Sequence, residues 1–162
     1  VTLIGMDGFH RYQDDLLSHY TQSNGETIPL VKIKGAPETF DLAKLTERVR
    51  KIAAGEKCGW PAYDRILHNP IEDAITVSGN IVLCEGNYLL LDEPGWQELS
   101  QYADYTIFLD ADIDLLRKRL TARQIQSGKT PEEAQAFVAF SDLTNARLVL
   151  DHSKNADLVL RI

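Results

Sequence analysis

Three short apolar runs each end in an acid. Leu3-Ile4-Gly5-Met6 leads into Asp7, Ile81-Val82-Leu83-Cys84 into Glu85, and Thr106-Ile107-Phe108-Leu109 into Asp110. Runs of this length and composition predict β-strands. In an open parallel sheet, ligands bind beyond the carboxyl ends of the strands, so acids placed there converge on one crevice. Phosphoryl transfer uses carboxylates in two ways. One takes the proton of the attacking hydroxyl, and another holds Mg²⁺ directly or through water. The plain alternative is an acid that caps the next helix. That reading is favoured at Asp110, where a helical pattern begins just afterwards. Gly8 follows Asp7 and Gly86 follows Glu85, and glycine lets backbone approach a ligand closely. Asp7 and Glu85 are therefore the catalytic candidates.

Apolar runs of strand length alternate with amphipathic helical patterns, which predicts an α/β fold with a mainly parallel sheet. A short helix is expected over 14–20, then a polar loop over 21–39. Asp41 is placed to cap a helix whose apolar face is Leu42, Leu45, Val49 and Ile52, with Phe40 and Leu45 set to close a hydrophobic staple and Gly55 as the stop. The stretch 58–70 reads as irregular. Strands are expected over 74–77 and 81–84, joined by the turn Ser78-Gly79-Asn80. A short helix carries Trp96 and Leu99, a strand covers 105–109, and a helix covers 113–127. Thr130, Pro131 and Glu133 spell a helix start with a capping box. That helix is expected to break near Ser141 and end about Leu150, before a last strand over 157–162.

The chain has 162 residues, enough for one domain with one core. Its net charge of -7 comes without a basic stripe, which argues against general nucleic-acid binding. Small anionic substrates stay compatible, since local basic clusters act inside acidic proteins. Two cysteines imply no disulfide framework, so a reducing cytoplasmic setting is expected. The apolar runs are far shorter than a membrane span. Val1 to Met6 already reads as core strand, and termini are usually exposed. The expectation is a single domain over 1–162 that lacks its N-terminal part.

Five blocks carry a family resemblance: MDGFH (6–10), KGAPETFD (34–41), PAYDRILH (61–68), EGNYLLLD (85–92) and RLTAR (119–123). With these blocks in this order, the chain resembles the uridine kinase, phosphoribulokinase and bacterial pantothenate kinase superfamily of P-loop proteins. It is most similar to a bacterial group labelled nucleoside or sugar kinases. The resemblance implies a three-layer P-loop NTPase fold with a helical lid at about 117–135. It implies ATP and Mg²⁺ as cofactors and a hydroxyl of a small metabolite as acceptor: a nucleoside, a sugar or a pantothenate-like compound. Asp7 matches the family's general base, and Glu85 an acid near metal and phosphates. Tyr63 and His68 match the pair that holds a nucleoside base, where Tyr offers a stacking face and a hydroxyl, and His a donor and an acceptor. Asp41 matches an acid that binds sugar hydroxyls, a role compatible with capping. His10 and Lys34 are further candidates for substrate contact, with a solvated loop position as the alternative. Arg119 and Arg123, four apart on one helix face, match lid arginines that fork onto phosphate oxygens. The alternative is a solvated basic face. Arg65 departs from the uridine kinase pattern and points to an acceptor carrying negative charge. A homodimer is compatible with the family pattern, and no nucleic-acid or membrane partner is expected.

One required motif is missing from the 162 residues. The family uses a glycine-rich loop ending in Gly-Lys-Ser/Thr. Gly128-Lys129-Thr130 imitates its end, but Arg123 stands where the first glycine belongs, and the triplet follows a helix rather than a strand. The P-loop unit is thus expected upstream of Val1. A non-catalytic nucleotide- or metabolite-binding regulator is the alternative from another class. A nucleotide kinase is a second enzymatic rival, which would need an added basic pocket for the acceptor phosphate.

Overall fold

The computed structural model describes residues 1–23, 25–153 and 155–162. Strand β1 (Thr2–Gly5) stops at a 3-10 turn, Met6–Phe9, and is followed by helix α1 (Gln13–Ser18). Strands β2 (Tyr20–Ser23) and β3 (Glu26–Pro29) pair antiparallel, and two 3-10 turns, Leu30–Ile33 and Pro37–Thr39, lead into α2 (Leu42–Ala53). Strands β4 (Gly59–Asp64) and β5 (Asn69–Thr76) form an antiparallel hairpin. Then come β6 (Val82–Glu85), a 3-10 segment Trp96–Tyr102, and β7 (Ile107–Asp110). Helices α3 (Ile113–Gln126), α4 (Pro131–Phe137) and α5 (Leu143–His152) follow, and β8 (Leu158–Arg161) ends the chain.

The architecture is mixed α/β. Parallel pairing is found between β1 and β6 and between β7 and β8. Among the described residues these two pairs share no ladder, so the expected single, mainly parallel sheet is present as separate pairs beside two antiparallel ones. Leu3, Leu83, Ile107 and Leu109 lie on these strands and are exposed. No helix among the described residues is long and apolar enough to cross a membrane. Cys58 and Cys84 are free thiols, and burial pushes the Cys84 thiol up to about 12.

Two segments differ from the sequence reading. The stretch 21–39 holds the β2–β3 pair and two 3-10 turns in place of a polar loop, and Asn24 within it lies outside the described residues. The stretch 58–70 is β4 and the start of β5 in place of irregular chain. Its Pro61 and Pro70 speak against a central strand, but a two-stranded hairpin has edges that tolerate proline. Consequently the strand after residue 74 belongs to β5 and pairs with β4, not with β6.

The caps follow local chemistry closely. The Asp41 carboxylate accepts from the Lys44 N–H at 3.0 Å. Phe40 and Leu45 both enter the core. Thr130 and Glu133 exchange both bonds of a capping box. Asp110, read as a cap, instead pairs with Arg161 at 3.3 Å. Asp112 caps α3, accepting from the N–H groups of Asp114 and Leu115. The break near Ser141 is a π-turn, Val138–Asp142.

The core joins Ile4, Met6, Phe9, Phe40, Leu45, Trp60, Tyr88, Leu91, Trp96 and Leu99. Trp60 is fully buried, meets Phe9 edge-on at 4.8 Å, and donates its indole N–H to the Gly5 carbonyl at 2.9 Å. Burying a side chain of this size is worth about 3 kcal/mol, and its polar edge is satisfied as well. One residue thus ties the β4–β5 hairpin to the end of β1, where Asp7 begins.

Candidate active site

The 3-10 turn after β1 carries Asp7 sideways toward β4. Gly8 makes this approach feasible, because a Cβ there would overlap the Pro61 carbonyl. Glu85 ends β6 in register with Gly5, two residues before Asp7. Gly86 is needed for a similar reason, since a Cβ there would overlap the Met6 side chain. The two glycines that follow the acids therefore admit protein rather than ligand, which corrects the sequence reading of them.

Asp7 lies near enough to both Glu85 and Tyr63 for its charge to act on each. The Glu85 carboxyl is held above the ordinary carboxylate range, first by burial and then by the negative charge of Asp7. Burial and the same Asp7 charge push the Tyr63 phenol up, so it stays a protonated donor at neutral pH. Arg65 reaches Asp7 Oδ2 at 3.9 Å, with 81% of its side chain exposed against 51% for Asp7. Like charges brought together this way are relieved by a divalent cation. Mg²⁺ is commonly held by one or two carboxylates plus substrate phosphates, and Glu85 is the carboxylate here that could serve as such a ligand, directly or through water. Among the described residues no cluster of three or more metal-ligating side chains occurs.

His10 stands between two rings, 4.0 Å from Phe40 and 4.9 Å from Tyr63. Its Nδ1 lies 2.8 Å from the Asp7 carbonyl oxygen. A carbonyl only accepts, so Nδ1 carries the proton and Nε2 is an acceptor. Burial lowers the imidazole below its ordinary range, keeping that neutral form at pH 7. His10 and Asp41 line a cavity of about 630 Å³, together with Arg11, Tyr12 and Lys44. Asp7, Glu85 and Tyr63 are not in its lining, and His10 links the cavity to the Asp7 carbonyl and to the Tyr63 ring.

Lys34 has its ammonium 5.1 Å from the Tyr63 ring centroid and donates to Gln13 Oε1 at 2.7 Å and to the His68 carbonyl at 2.8 Å. Burial lowers its pKa from the ordinary lysine value. His68 adopts φ 54° in the β4–β5 turn, and its backbone carbonyl is what joins the site while its side chain is exposed. The turn is shaped by Asp64, whose carboxylate accepts from the Ile66 and Leu67 N–H groups at 2.8 Å. Arg119 and Arg123 are exposed on α3, apart from this cluster, and make no ion pair among the described residues. Lys129 and Thr130 of the decoy triplet are committed to Gln124 and to the capping box, away from any strand end.

Several contributors went unassigned in the sequence reading. Gln13 holds Lys34, and nothing local in the sequence marks it. Tyr88, within EGNYLLLD, donates its hydroxyl to the Gly35 carbonyl at 2.5 Å and so fixes the loop that carries Lys34. Thr39 is fully buried and closes the same loop, donating to the Ala36 carbonyl and accepting from the Gly35 N–H.

The model for the Phosphoribulokinase / Uridine kinase family matches residues 13–162. The chain is 43% identical over 162 residues to the protein YggC of Escherichia coli (strain K12), covering 100% of this chain and 64% of that one. It is 30% identical to a candidate uridine kinase of Schizosaccharomyces pombe, covering 99% of this chain and 69% of the relative. Among solved structures, a candidate fructose transport system kinase from Silicibacter sp. TM1040 superposes with a TM-score of 0.87 at 32% identity, covering 98% of this chain and 73% of that one. The chain thus spans 64% of the length of the Escherichia coli relative. Asp7 and the side chains around it are thus set in a chain that belongs to the Phosphoribulokinase / Uridine kinase family.

Proposed function

We infer that the protein is an ATP- and Mg²⁺-dependent kinase that phosphorylates a hydroxyl of a small metabolite. The observation that carries this is that Asp7 and Glu85 stand at the ends of two paired parallel strands, with Tyr63 of the β4–β5 hairpin near Asp7, in a chain of a kinase family. Asp7 takes the acceptor hydroxyl's proton as the oxygen attacks. Tyr63 packs against the acceptor and donates its phenol O–H. Nε2 of His10 accepts a hydrogen bond from an acceptor O–H or N–H group, and Asp41 binds further hydroxyls at the cavity wall. Glu85 would hold Mg²⁺, directly or through water, and the ion when bound would neutralise phosphate charge. Arg119 and Arg123 act from a lid at about 117–135, where guanidinium forks stabilise charge developing on the transferred group. Nucleosides, sugars and pantothenate-like compounds are the acceptor classes in view.

Phosphoryl transfer also requires a phosphate cradle. No Gly-x-x-x-x-Gly-Lys-Ser/Thr run in the 162 residues supplies one. The decisive experiment uses the full-length gene product, screened against nucleosides, sugars and vitamins for acceptor-dependent ADP release. Asp7→Asn should lose roughly 10²-fold or more in turnover while ATP affinity changes little. Unchanged turnover would remove Asp7 as the base. ATP binding with no turnover on any acceptor would favour the non-catalytic regulator.

A further inference from the structure

We propose that Arg65 and Lys34 form an anion subsite at the mouth of the acceptor site, so that the preferred acceptor carries a phosphate or carboxylate besides its reacting hydroxyl. The inference rests on the kinase reading of Asp7 and narrows its substrate class. Both cations bear on the same two rings. The Lys34 ammonium stands over Tyr63, and Arg65 follows Tyr63 by two residues in the hairpin tip. Each lies close enough to His10 for its charge to act there. Lys34 spends two of its three donors, on Gln13 and on the His68 carbonyl, and keeps one. Among the described residues Arg65 has one charged contact, the long reach to Asp7 Oδ2. In a chain of net charge -7 this is a local basic pair set against a local acidic pair, Asp7 and Glu85.

The Arg65–Asp7 contact gives the subsite a consequence for turnover. Asp7 Oδ2 is one of the two oxygens that can receive the acceptor's proton, and in the free protein the guanidinium stands beside it. An exposed pair at this distance contributes little and yields readily to a better partner. A phosphate or carboxylate offers Arg65 two oxygens in the fork geometry that guanidinium prefers. Binding of an anionic acceptor therefore draws Arg65 away and clears the carboxylate for the hydroxyl. A neutral acceptor leaves Arg65 where it is, competing for the same oxygen. Lys34 plays the positioning part, because its bond to the His68 carbonyl ties the turn that carries Arg65 to the Lys34 loop, while its bond to Gln13 fixes the ammonium from α1.

The test uses matched acceptors on the full-length protein: a neutral sugar, its phosphate ester, and the sugar acid of the same skeleton. Wild type should favour at least one anionic member over the neutral one by about tenfold or more in kcat/KM. Which member wins tells phosphate from carboxylate. Arg65→Met should collapse that ratio toward one, and Arg65→Lys should restore part of it. A wild-type ratio near one, or a ratio that survives Arg65→Met, overturns the subsite while leaving the kinase reading intact. Should no acceptor turn over, the kinase reading fails, and titration with inorganic phosphate followed at the Arg65 Nε–H NMR signal still decides the subsite. A saturable shift in wild type, weakened by Lys34→Arg, supports it, and no shift refutes it.

Discussion

At the scale of single residues, the site is governed by what each polar atom already has as a partner. His10 has its Nδ1–H fixed on the Asp7 carbonyl, which leaves Nε2 as an acceptor for the acceptor molecule. His10→Asn keeps an amide donor near Nδ1 but shortens the reach on the other side, so KM for the acceptor should rise well before kcat falls. Steady-state kinetics on the best acceptor separates the two. Glu85 supports a pH prediction. Its folded-state pKa is raised, so the stability linked to it is fully present below the ordinary carboxyl value of 4.5 and is lost as pH rises through the raised value. Glu85→Gln should therefore melt higher than wild type at neutral pH, with the gap closing toward pH 4.5. Added Mg²⁺ should raise the wild-type melting temperature more than that of Glu85→Gln. Thermal denaturation across pH checks the first expectation, and a Mg²⁺ titration the second. The acids themselves were legible in the sequence, because strand-end position and residue type suffice to nominate Asp7 and Glu85. Their mutual influence was not, since it depends on the β1–β6 register, which aligns Gly5 with Glu85 across a separation that no local pattern reports.

At the scale of elements, helix ends were readable and hairpins were not. The caps at Asp41 and Thr130 are decided within four residues, so sequence is enough. The β4–β5 hairpin is decided by partners far away: Trp60 on the Gly5 carbonyl, Pro61 against Gly8, and Asn69 accepting from the Gln13 N–H. Its prolines and the charged stretch over 72–73 hide the alternation that usually betrays a strand. The contact between the 3-10 turn and β4 leads to a stability expectation. Gly8→Ala forces a methyl against a backbone carbonyl that cannot rotate aside, and should cost about 1–3 kcal/mol with a matching loss of acceptor affinity. Tyr88→Phe should cost about 1 kcal/mol, because the Gly35 carbonyl loses its donor. Urea denaturation measures both. If Gly8→Ala were neutral, the turn and the hairpin would not be fastened as described.

At the scale of the whole molecule, the apolar surface is unevenly covered. One core gathers around Trp60, Tyr88 and Leu91, while Leu3, Leu83, Ile107, Leu109 and Val159 on the two parallel pairs stay exposed. Exposed apolar residues grouped on strands mark surfaces that other protein atoms cover, or sites of self-association. The 162-residue chain on its own should bind a hydrophobic dye strongly and sediment as more than a monomer as concentration rises. Leu83→Lys combined with Leu109→Lys should reduce both effects, as sedimentation velocity would show. The alternation of strands and helices indicated the fold class, but it does not say which strands touch, because pairing is settled between segments dozens of residues apart. The fastening of the hairpin has a use beyond stability. Trp60 and Pro61 secure its root, while residues 65–68 form the tip, shaped by the Asp64 carboxylate and tied to Lys34 through the backbone carbonyl of residue 68. A protein engineer can therefore treat the side chains at those four positions as an exchangeable cassette and transplant loops that read other metabolites, with the backbone of Asp7 left standing on its own foundation and only its partner at position 65 changed.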